Sequence, residues 1–154
     1  NLRPPLWRSL DEAKEQVLYG VRHCHILKIS DNEIQWLTGF EDYTQGARWI
    51  YENYHTPLIL VSMGKAGSRA YYHHTMVEEA PFLQKNTIET TGAGDTFCGC
   101  VLHFILQNGL NGLSEDQLHR MLAFANSGAS LITTRKGALR VMPDKEEIEK
   151  NLMR

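Results

Sequence analysis

Hydrophobic positions along the chain fall either at helical spacing or in short continuous runs, and the two patterns alternate. Ala47, Ile50 and Tyr54 recur every three or four residues, which predicts a helix from about residue 42 to residue 54. The unbroken run Pro-Leu-Ile-Leu-Val-Ser at residues 57–62 predicts a strand buried on both faces, as in a parallel sheet that helices cover. Together the two patterns predict a layered α/β domain.

Capping residues mark where further helices begin. Ser9 precedes Asp11 and predicts a helix to about residue 18, while Ser114 stands three residues before Gln117 and opens a helix through about residue 132. The other predicted elements are a strand at 26–29, a helical turn from Ser30 or Asp31 to Gly39, strands at 69–72 and 75–80 with the second at a sheet edge, and helices at 95–108 and from Asp144. So few parallel strands cannot complete a doubly wound sheet, and the chain is therefore expected to be part of a larger fold.

Composition narrows the class of protein. The chain has 154 residues, 42% of them hydrophobic and 22% charged, which is enough for one domain with its own core. A net charge of -2 argues against general nucleic-acid binding, and no apolar run reaches the roughly 18 residues of a membrane span. No repeat or linker divides residues 1–154, so a single domain is expected. The three cysteines lack zinc-site spacing, which favours free thiols and a cytoplasmic location.

The segment most informative about chemistry is Thr-Thr-Gly-Ala-Gly-Asp-Thr-Phe at residues 90–97. Gly92 and Gly94 let the backbone approach a ligand closely, and they stand just before a predicted helix whose first amides have no partner within the helix. A phosphate, or the transition state of phosphoryl transfer, fits at such a place. Asp95 at its mouth could accept the proton of a substrate hydroxyl. The alternative is that Asp95 only caps the helix and that residues 92–94 form a plain loop.

Two other segments could serve a nucleotide. Residues 62–67, Ser-Met-Gly-Lys-Ala-Gly, follow the buried strand, where open α/β sheets bind ligands, but they lack the spacing of a Walker loop. The alternative for this segment is an ordinary hairpin turn. Residues 124–129, Phe-Ala-Asn-Ser-Gly-Ala, are small enough either for close helix packing or to leave room for a flat base.

Residues 90–97 resemble the C-terminal signature of the ribokinase, or PfkB, family of carbohydrate kinases, and the resemblance extends over the chain in order. Residues 1–7 resemble the Asp-x-Asn-x-Arg-x-x-Leu-Trp segment of bacterial fructokinases, starting just after its aspartate. Residues 28–39 resemble the stretch with the family's Asn-x-x-Glu motif, and residues 124–143 resemble a fructokinase-like C-terminal stretch. The resemblance implies a three-layer α/β ribokinase-like fold. This chain would be its C-terminal half, a partial sheet flanked by helices, with the small β-sheet lid absent.

The resemblance also implies roles for individual residues. Asp95 would be the general base that activates a sugar hydroxyl, and the amides of Gly92, Ala93 and Gly94 would form the anion hole. The other implied positions are Ser62, Gly64 and Gly67 at the nucleotide phosphates and ribose, Asn126 in the adenine pocket, Arg3 facing the phosphates or substrate, Glu33 helping to organise Mg²⁺ through water, and Glu89 and Thr91 as candidates for a monovalent-cation site for K⁺.

The sequence departs from the family pattern at two positions and in length. Ser30 stands where the Asn-x-x-Glu motif has asparagine. Glu89 stands where the signature has aspartate, and its extra methylene would shift the cation site. Family kinases also carry an N-terminal half, with most of the sugar contacts and the lid, that is absent from this chain. The 154-residue chain alone is therefore expected to show little or no sugar kinase turnover.

The function expected from the resemblance is ATP-dependent phosphorylation of a primary hydroxyl of a small sugar, most like that of fructokinases, with Mg²⁺ as cofactor. The partners would be the sugar and ATP, with no nucleic acid or membrane, and the family allows for a homodimer of the full-length protein. One alternative is a kinase of the same family that acts on 2-keto-3-deoxygluconate, another ketose or a nucleoside. The other is a non-catalytic family member that binds nucleotide or regulates a partner.

Overall fold

The computed structural model describes residues 2–153, which form an α/β structure of six α-helices and a four-stranded mixed sheet. In chain order the elements are α1 (Leu10–His23), β1 (Ile26–Ser30), α2 (Asp31–Thr38), α3 (Tyr43–Tyr54), β2 (Leu58–Ser62), β3 (Ser68–Tyr72), β4 (Thr75–Glu79), α4 (Ala93–Asn108), α5 (Glu115–Ile132) and α6 (Lys145–Leu152). Short 3₁₀ turns lie at Pro4–Leu6, Gly64–Ala66 and Leu139–Val141. The order of helices and strands is the one that the hydrophobic pattern predicts.

The sheet places its most apolar strand in an inner position. The strands are ordered β1–β2–β3–β4, and β1 runs parallel to β2 with Ile26 opposite Leu58 and Ser30 opposite Ser62. The residues of β2 from 58 to 61 are each at most 1% exposed, which confirms the predicted strand buried on both faces. β4 forms one end of the strand order, so its predicted place at a sheet edge is also confirmed.

Two predicted helix boundaries change in the structure. The predicted cap Ser9 accepts the Glu12 amide, but α1 continues to His23 instead of about residue 18, because Val21 is buried on the face that also carries Ala13. α4 begins two residues before its predicted start, because Gly92 is the N-cap and no side chain caps the helix. Asp95 is the third residue of α4, so the alternative in which Asp95 caps this helix is wrong.

The chain forms two compact units. The first comprises the residues up to 63 together with 70–76, and its core is built by α1, α2, α3 and the β1–β2 pair. The second comprises residues 64–69 and those from 77 onward, and in it α4 packs against α5 and α5 against α6. Within residues 2–153, none of the helices combines the length and the apolar character that a bilayer crossing requires.

Candidate active site

The amino end of α4 has the features of an anion site. Gly92 is the N-cap, and its carbonyl accepts the first helical hydrogen bond at 2.8 Å. The Ala93 amide donates instead to the Thr90 carbonyl at 3.2 Å and so closes a turn just before the helix. The amides of Gly94 and Asp95 are then the first-turn donors to which helix geometry gives no carbonyl partner. These donors and the helix dipole together favour a negatively charged oxygen at this end of α4.

Position 92 requires glycine, both because of its backbone conformation and because its neighbours leave no room for a side chain. Its φ of 80° lies in the left-handed region that glycine adopts without strain. A Cβ at this position would also lie 3.1 Å from Cδ1 of Ile132 and 3.3 Å from Cβ of Ala138. The start of α4 is therefore held close to the end of α5 and to the loop that follows it. Any side chain at residue 92 would push these segments apart.

Asp95 presents its side chain to solvent from the first turn of α4. The neighbouring Thr96 and Phe97 are buried, 4% and 2% exposed respectively, and they anchor this turn to the rest of the second unit. An exposed carboxylate on an anchored turn can accept a proton from a hydroxyl held beside the first-turn amides. The role of general base for Asp95, and of residues 92–94 as an anion hole, stay predictions at this point.

Glu89 and the residue before it are tied to the loop after α5. The amides of Ile88 and Glu89 donate to the carbonyl of Thr133 at 2.8 Å and 3.3 Å. The Oε1 atom of Glu89 accepts the backbone amide of Gly137 at 2.6 Å. Thr91, the second predicted ligand of a monovalent cation, is exposed. The segment that leads into the anion site is thus fastened by both backbone and side-chain hydrogen bonds.

The predicted nucleotide loop is a hairpin connection between β2 and β3 that contains the 3₁₀ turn at Gly64–Ala66. Gly64 and Gly67 have φ values of 55° and 93°, so both adopt the left-handed region. A Cβ on Gly67 would lie only 2.1 Å from the carbonyl oxygen of Glu79. The hairpin interpretation is therefore correct for the backbone, and the loop owes its tight course past β4 to glycine.

Asn126 holds the other side of the same backbone segment. Its side chain is 8% exposed, and Nδ2 donates to the carbonyls of Glu79 at 3.3 Å and Ala80 at 3.0 Å. The end of β4 thus lies against Gly67 and is also bound by a buried side chain of α5. The structure brings together Gly67 and Asn126, two of the predicted nucleotide-site residues, through the backbone at residues 79–80.

One polar contact in this region is missed by the sequence analysis. Nδ1 of His119 lies 2.6 Å from Oε1 of Glu79, so a second side chain of α5 binds the end of β4. His119 and Asn126 are seven residues apart and therefore share a face of the helix, and this spacing can be seen in the sequence. Their common partner could not be read from it, because β4 lies 40 residues before His119 in the chain.

Arg3, Glu33 and Ser62 belong to the first unit. Arg3 is exposed and precedes the 3₁₀ turn at Pro4–Leu6, and Ser62 ends β2. The carboxylate of Glu33 accepts the amides of Leu2 at 2.6 Å and of Ser30 at 2.9 Å, and the second of these bonds belongs to the capping box that begins α2. Asn1, the first residue of the fructokinase-like segment, lies outside the described residues.

The environment of Glu33 acts on its acidity in two directions. Burial raises the pKa of its carboxyl group, but the hydrogen bonds from the Ser30 and Leu2 amides outweigh burial and leave the pKa below its ordinary value. Glu33 is therefore an ionised, hydrogen-bonded carboxylate at neutral pH. Its visible role is to stabilise the start of α2 and the N-terminal segment.

The acidic residues fit Mg²⁺ only as an ion held mainly by other groups. Among residues 2–153, no three or more His, Cys, Asp or Glu side chains form a cluster that could hold a metal ion. Mg²⁺ keeps several waters and is commonly bound through one or two carboxylates together with substrate phosphates. Both Oε atoms of Glu33 already accept backbone amides, so this residue suits a contact through water better than direct ligation.

Comparisons with known proteins point to one family. The family model described as pfkB family carbohydrate kinase matches residues 1–145. Probable fructokinase-2 of Arabidopsis thaliana is 35% identical over 146 residues, which are 93% of this chain and 43% of that protein. Fructokinase-1 of Zea mays is 32% identical over 148 residues, 96% of this chain and 46% of that protein. The chain thus spans somewhat less than half the length of these curated relatives.

A solved structure supports the same assignment of the fold. A double-mutant fructokinase from Vibrio cholerae O395, in its fructose, ADP and potassium ion bound form, is 25% identical to this chain. It superposes with a TM-score of 0.85 over 98% of this chain and 48% of its own length. The expected ribokinase-like α/β fold is therefore confirmed, and the resemblance found in the sequence is confirmed with it.

Proposed function

The chain belongs to the pfkB family of carbohydrate kinases, and on that premise we propose that it is the nucleotide-binding and catalytic part of an ATP-dependent sugar kinase, most like a fructokinase. The proposed reaction transfers the γ-phosphate of ATP to a primary hydroxyl of a small sugar. Because the chain spans 43% and 46% of two fructokinase relatives, the activity is proposed for the whole protein that contains this sequence.

The observation that carries the proposal is the exposed carboxylate of Asp95 on the first turn of α4, beside amides that the helix leaves without partners. Asp95 accepts the proton of the sugar hydroxyl while the hydroxyl oxygen attacks the γ-phosphorus and the bond to the ADP oxygen breaks. The amides of Gly94 and Asp95 face the charge of the transferring group, whereas the Ala93 amide, which was expected in the anion hole, is already bonded to the Thr90 carbonyl. Fixed donors of this kind are commonly the largest electrostatic contribution to such a reaction.

The nucleotide site of the proposal is built from the glycine loop and α5. Gly64 and Gly67 let the loop turn at positive φ and carry no side chain themselves, so that its backbone at these positions, with Ser62, lines the phosphates and ribose. Asn126 borders the adenine pocket. Because its Nδ2 is already bonded to the carbonyls of Glu79 and Ala80, Asn126 contributes the shape of the pocket and not a hydrogen bond from that amide group.

Charge neutralisation is the remaining requirement of phosphoryl transfer. Mg²⁺ supplies it when bound with ATP, by offsetting the charge of the phosphates. Glu33 would meet the water shell of that ion, and the exposed guanidinium of Arg3 would face the phosphates or the substrate. A potassium ion accompanies ADP in the Vibrio cholerae fructokinase, and Glu89 and Thr91 are the residues of this chain where a monovalent cation would be sought.

Asp95→Asn tests the proposal directly. Turnover of fructose and ATP, measured by coupled ADP release in the longest natural polypeptide that contains this sequence, should fall about 100- to 10,000-fold, the usual contribution of general base catalysis. The matched control is Asp116→Asn, an exposed aspartate in the first turn of α5. It removes the same charge from the first turn of another helix and should leave turnover within about twofold of the unchanged protein.

The binding of MgADP to the same variants separates catalysis from nucleotide binding. Calorimetry should give dissociation constants for Asp95→Asn within about threefold of the unchanged chain, because the carboxylate acts on the hydroxyl and not on ADP. Turnover that survives Asp95→Asn would overturn the role of Asp95 as general base. MgADP binding without turnover of any sugar in the unchanged polypeptide would overturn the kinase proposal and favour a non-catalytic, nucleotide-binding family member. A panel of fructose, 2-keto-3-deoxygluconate, other ketoses and nucleosides identifies the acceptor.

The setting of the enzyme completes the proposal. Residues 1–154 act as a single domain of a cytoplasmic protein whose partners are the sugar and ATP, with no nucleic acid or membrane, and the full-length protein forms a homodimer. The net charge of -2 supports the absence of nucleic acid among the partners, and the free cysteines support the cytoplasmic location. Sedimentation of the full-length protein, with and without MgADP, measures the oligomeric state.

A further inference from the structure

The carboxylate of Glu89 is bonded to a backbone amide in the place where the family resemblance leads one to seek a monovalent cation. We propose that in this chain the hydrogen bond from the Gly137 amide to Glu89 takes the place of that cation, and that the anion site of α4 is held in shape without K⁺. The inference rests on the proposed function, since it concerns the same site. It follows from the contacts of Glu89, of the loop after α5 and of Gly92.

The two segments concerned are joined at several points. Oε1 of Glu89 lies 2.6 Å from the Gly137 amide nitrogen, and the amides of Ile88 and Glu89 donate to the Thr133 carbonyl. One residue beyond Gly137, Ala138 lies against the position that a Cβ of Gly92 would occupy, at 3.3 Å. The bond of Glu89 therefore fastens the loop that packs directly against the N-cap of α4.

The loop is also fixed from its far side. The guanidinium of Arg135 donates to the Val141 carbonyl at 3.0 Å, and a second nitrogen of the same group pairs with Glu147 at 2.5 Å. The carbonyl of Ala138 accepts the Val141 amide at 3.1 Å. With Glu89 on one side and Arg135 on the other, residues 133–141 are held by protein groups.

This arrangement fits a cation poorly at Oε1 of Glu89. A monovalent cation needs oxygen atoms that converge on it, whereas an amide hydrogen from Gly137 points at this oxygen and repels positive charge. The family signature has aspartate at this position, and the additional carbon–carbon bond of glutamate extends the carboxylate by about 1.5 Å. That extra reach is what allows a direct bond to the loop, with no ion between them.

Ion dependence of nucleotide binding is the first test. MgADP binding to the 154-residue chain is measured by calorimetry in 100 mM KCl and in 100 mM tetramethylammonium chloride, roughly equal in ionic strength so that general screening is matched. For the unchanged chain, the dissociation constants in the two salts should agree within about twofold. The same agreement is expected for Glu89→Gln, whose side-chain carbonyl oxygen still accepts the Gly137 amide. Glu89→Asp withdraws the carboxylate, so its binding should weaken about tenfold in tetramethylammonium and recover in KCl. Glu115→Asp, an exposed glutamate in the first turn of α5, is the control for the same shortening.

Hydrogen exchange of the Gly137 amide gives a readout that needs no nucleotide. In a chain labelled with ¹⁵N at its 12 glycines, this amide should exchange slowly and at the same rate in both salts. Exchange should become at least about tenfold faster in Glu89→Ala. Fast exchange in the unchanged chain, or protection that appears only in KCl, would overturn the inference.

The two readouts keep the inference apart from the proposed function. A chain that binds MgADP only in KCl contradicts the inference and leaves the kinase proposal intact. A folded chain with a protected Gly137 amide in both salts, but with no MgADP binding, supports the bond of Glu89 and argues against a nucleotide site within these residues. If the Gly137 amide is unprotected and MgADP binding depends on K⁺, the inference is contradicted. The kinase proposal then stands as long as MgADP still binds.

Discussion

Asn126 shows how a single side chain joins segments that are far apart in the chain. It is buried, and its two bonds to the carbonyls at residues 79 and 80 fix the end of β4, which itself borders Gly67 of the glycine loop. A buried donor of this kind stabilises the fold mainly because its removal leaves the carbonyls without partners. The nucleotide loop therefore depends on Asn126 for its shape, whatever contact Asn126 makes with a base.

Asn126→Ala should lower the free energy of unfolding by about 1–2 kcal/mol, because the partly buried carbonyls of Glu79 and Ala80 lose a buried donor. The measurement is urea denaturation followed by far-UV circular dichroism. Asn108→Ala is the matched control, since the exposed Asn108 side chain also donates to a backbone carbonyl, that of Phe104, at 2.9 Å. Its effect should stay within about 0.5 kcal/mol. Equal effects of the two substitutions would contradict the assigned role of Asn126.

The two glycines of the loop should respond differently to the same substitution. Gly64→Ala and Gly67→Ala both place a side chain at positive φ, but nothing lies within 4 Å of a Cβ at Gly64, whereas a Cβ at Gly67 would meet the Glu79 carbonyl at 2.1 Å. Gly64→Ala should therefore destabilise by about 1 kcal/mol, the backbone penalty alone. Gly67→Ala should destabilise by about 3 kcal/mol or more, since the backbone of β4 must move. Melting temperatures that fall equally would contradict the close approach.

The sequence indicates residue roles best where chemistry is local. The start of α2 at Ser30 or Asp31 is predicted because a capping residue and its partner are within a few residues, and the capping box of Ser30 and Glu33 is observed as a pair of local bonds. The partners of Glu89 and Asn126 could not be predicted, because they lie 48 and 47 residues away. Residue type states what a side chain can bind, and only the fold states what lies next to it.

Close packing of α4 on α5 is the clearest property at the level of elements. The run of small residues in α5 is predicted either to pack closely or to leave room for a base, and at Gly128 it packs, because a Cβ there would lie 2.7 Å from Sγ of Cys100. Burial raises the pKa of the Cys100 thiol to about 11, so the thiol stays neutral and behaves as a small apolar group at this contact.

A double-mutant cycle tests this helix contact. Gly128→Ala should destabilise by about 1–3 kcal/mol as an overpacked side chain, and the loss should shrink by at least about 1 kcal/mol in a Cys100→Ala background, where the sulfur is gone. Gly99→Ala is the control within α4, because nothing lies within 4 Å of a Cβ there. It should stabilise the protein by about 0.5–1 kcal/mol, since alanine favours a helix over glycine. A coupling energy of zero in the cycle would place the strain elsewhere.

Elements are predicted from the sequence more completely than their ends. The sequence identifies the six α-helices and four strands found within residues 2–153, since each is long enough to carry a pattern, but not the three short 3₁₀ turns. The ends of α1 and α4 are missed for opposite reasons. Tertiary burial of Val21 prolongs α1, while the left-handed Gly92 starts α4 before any residue that signals a helix. A glycine in such a turn is as typical of a loop as of a helix start, so its residue type alone does not decide.

At the scale of the whole molecule, the division into two compact units is the feature that the sequence does not predict. The boundary crosses the chain between residues 63 and 64, within β3 and within β4, and not at a linker, so no change of composition accompanies it. The stability of the first unit can be probed by itself, through a group whose charge depends on folding.

Glu33 is such a group, because its pKa is below its ordinary value in the folded chain. Burial raises that pKa, and the backbone hydrogen bonds from Ser30 and Leu2 lower it by more. A carboxyl group whose pKa falls on folding adds stability at every pH above its unfolded pKa, and this contribution disappears as the pH falls through the folded pKa. Glu33→Gln should therefore lower the free energy of unfolding by about 1 kcal/mol at pH 7, and the difference from the unchanged chain should shrink as the pH falls through the folded pKa.

Urea denaturation at several pH values between 3 and 7 measures this difference. The control is Glu15→Gln, which removes one carboxylate from an exposed position of α1 in the same unit and should change stability little at any pH. A difference for Glu33→Gln that stays constant with pH would mean that the side chain acts through packing alone. A difference that grows as the pH falls would have the opposite pH dependence from the one expected for the hydrogen-bonded Glu33 carboxylate. Only a difference that fades with acid agrees with an ionised Glu33 that joins the start of α2 to the N-terminal segment.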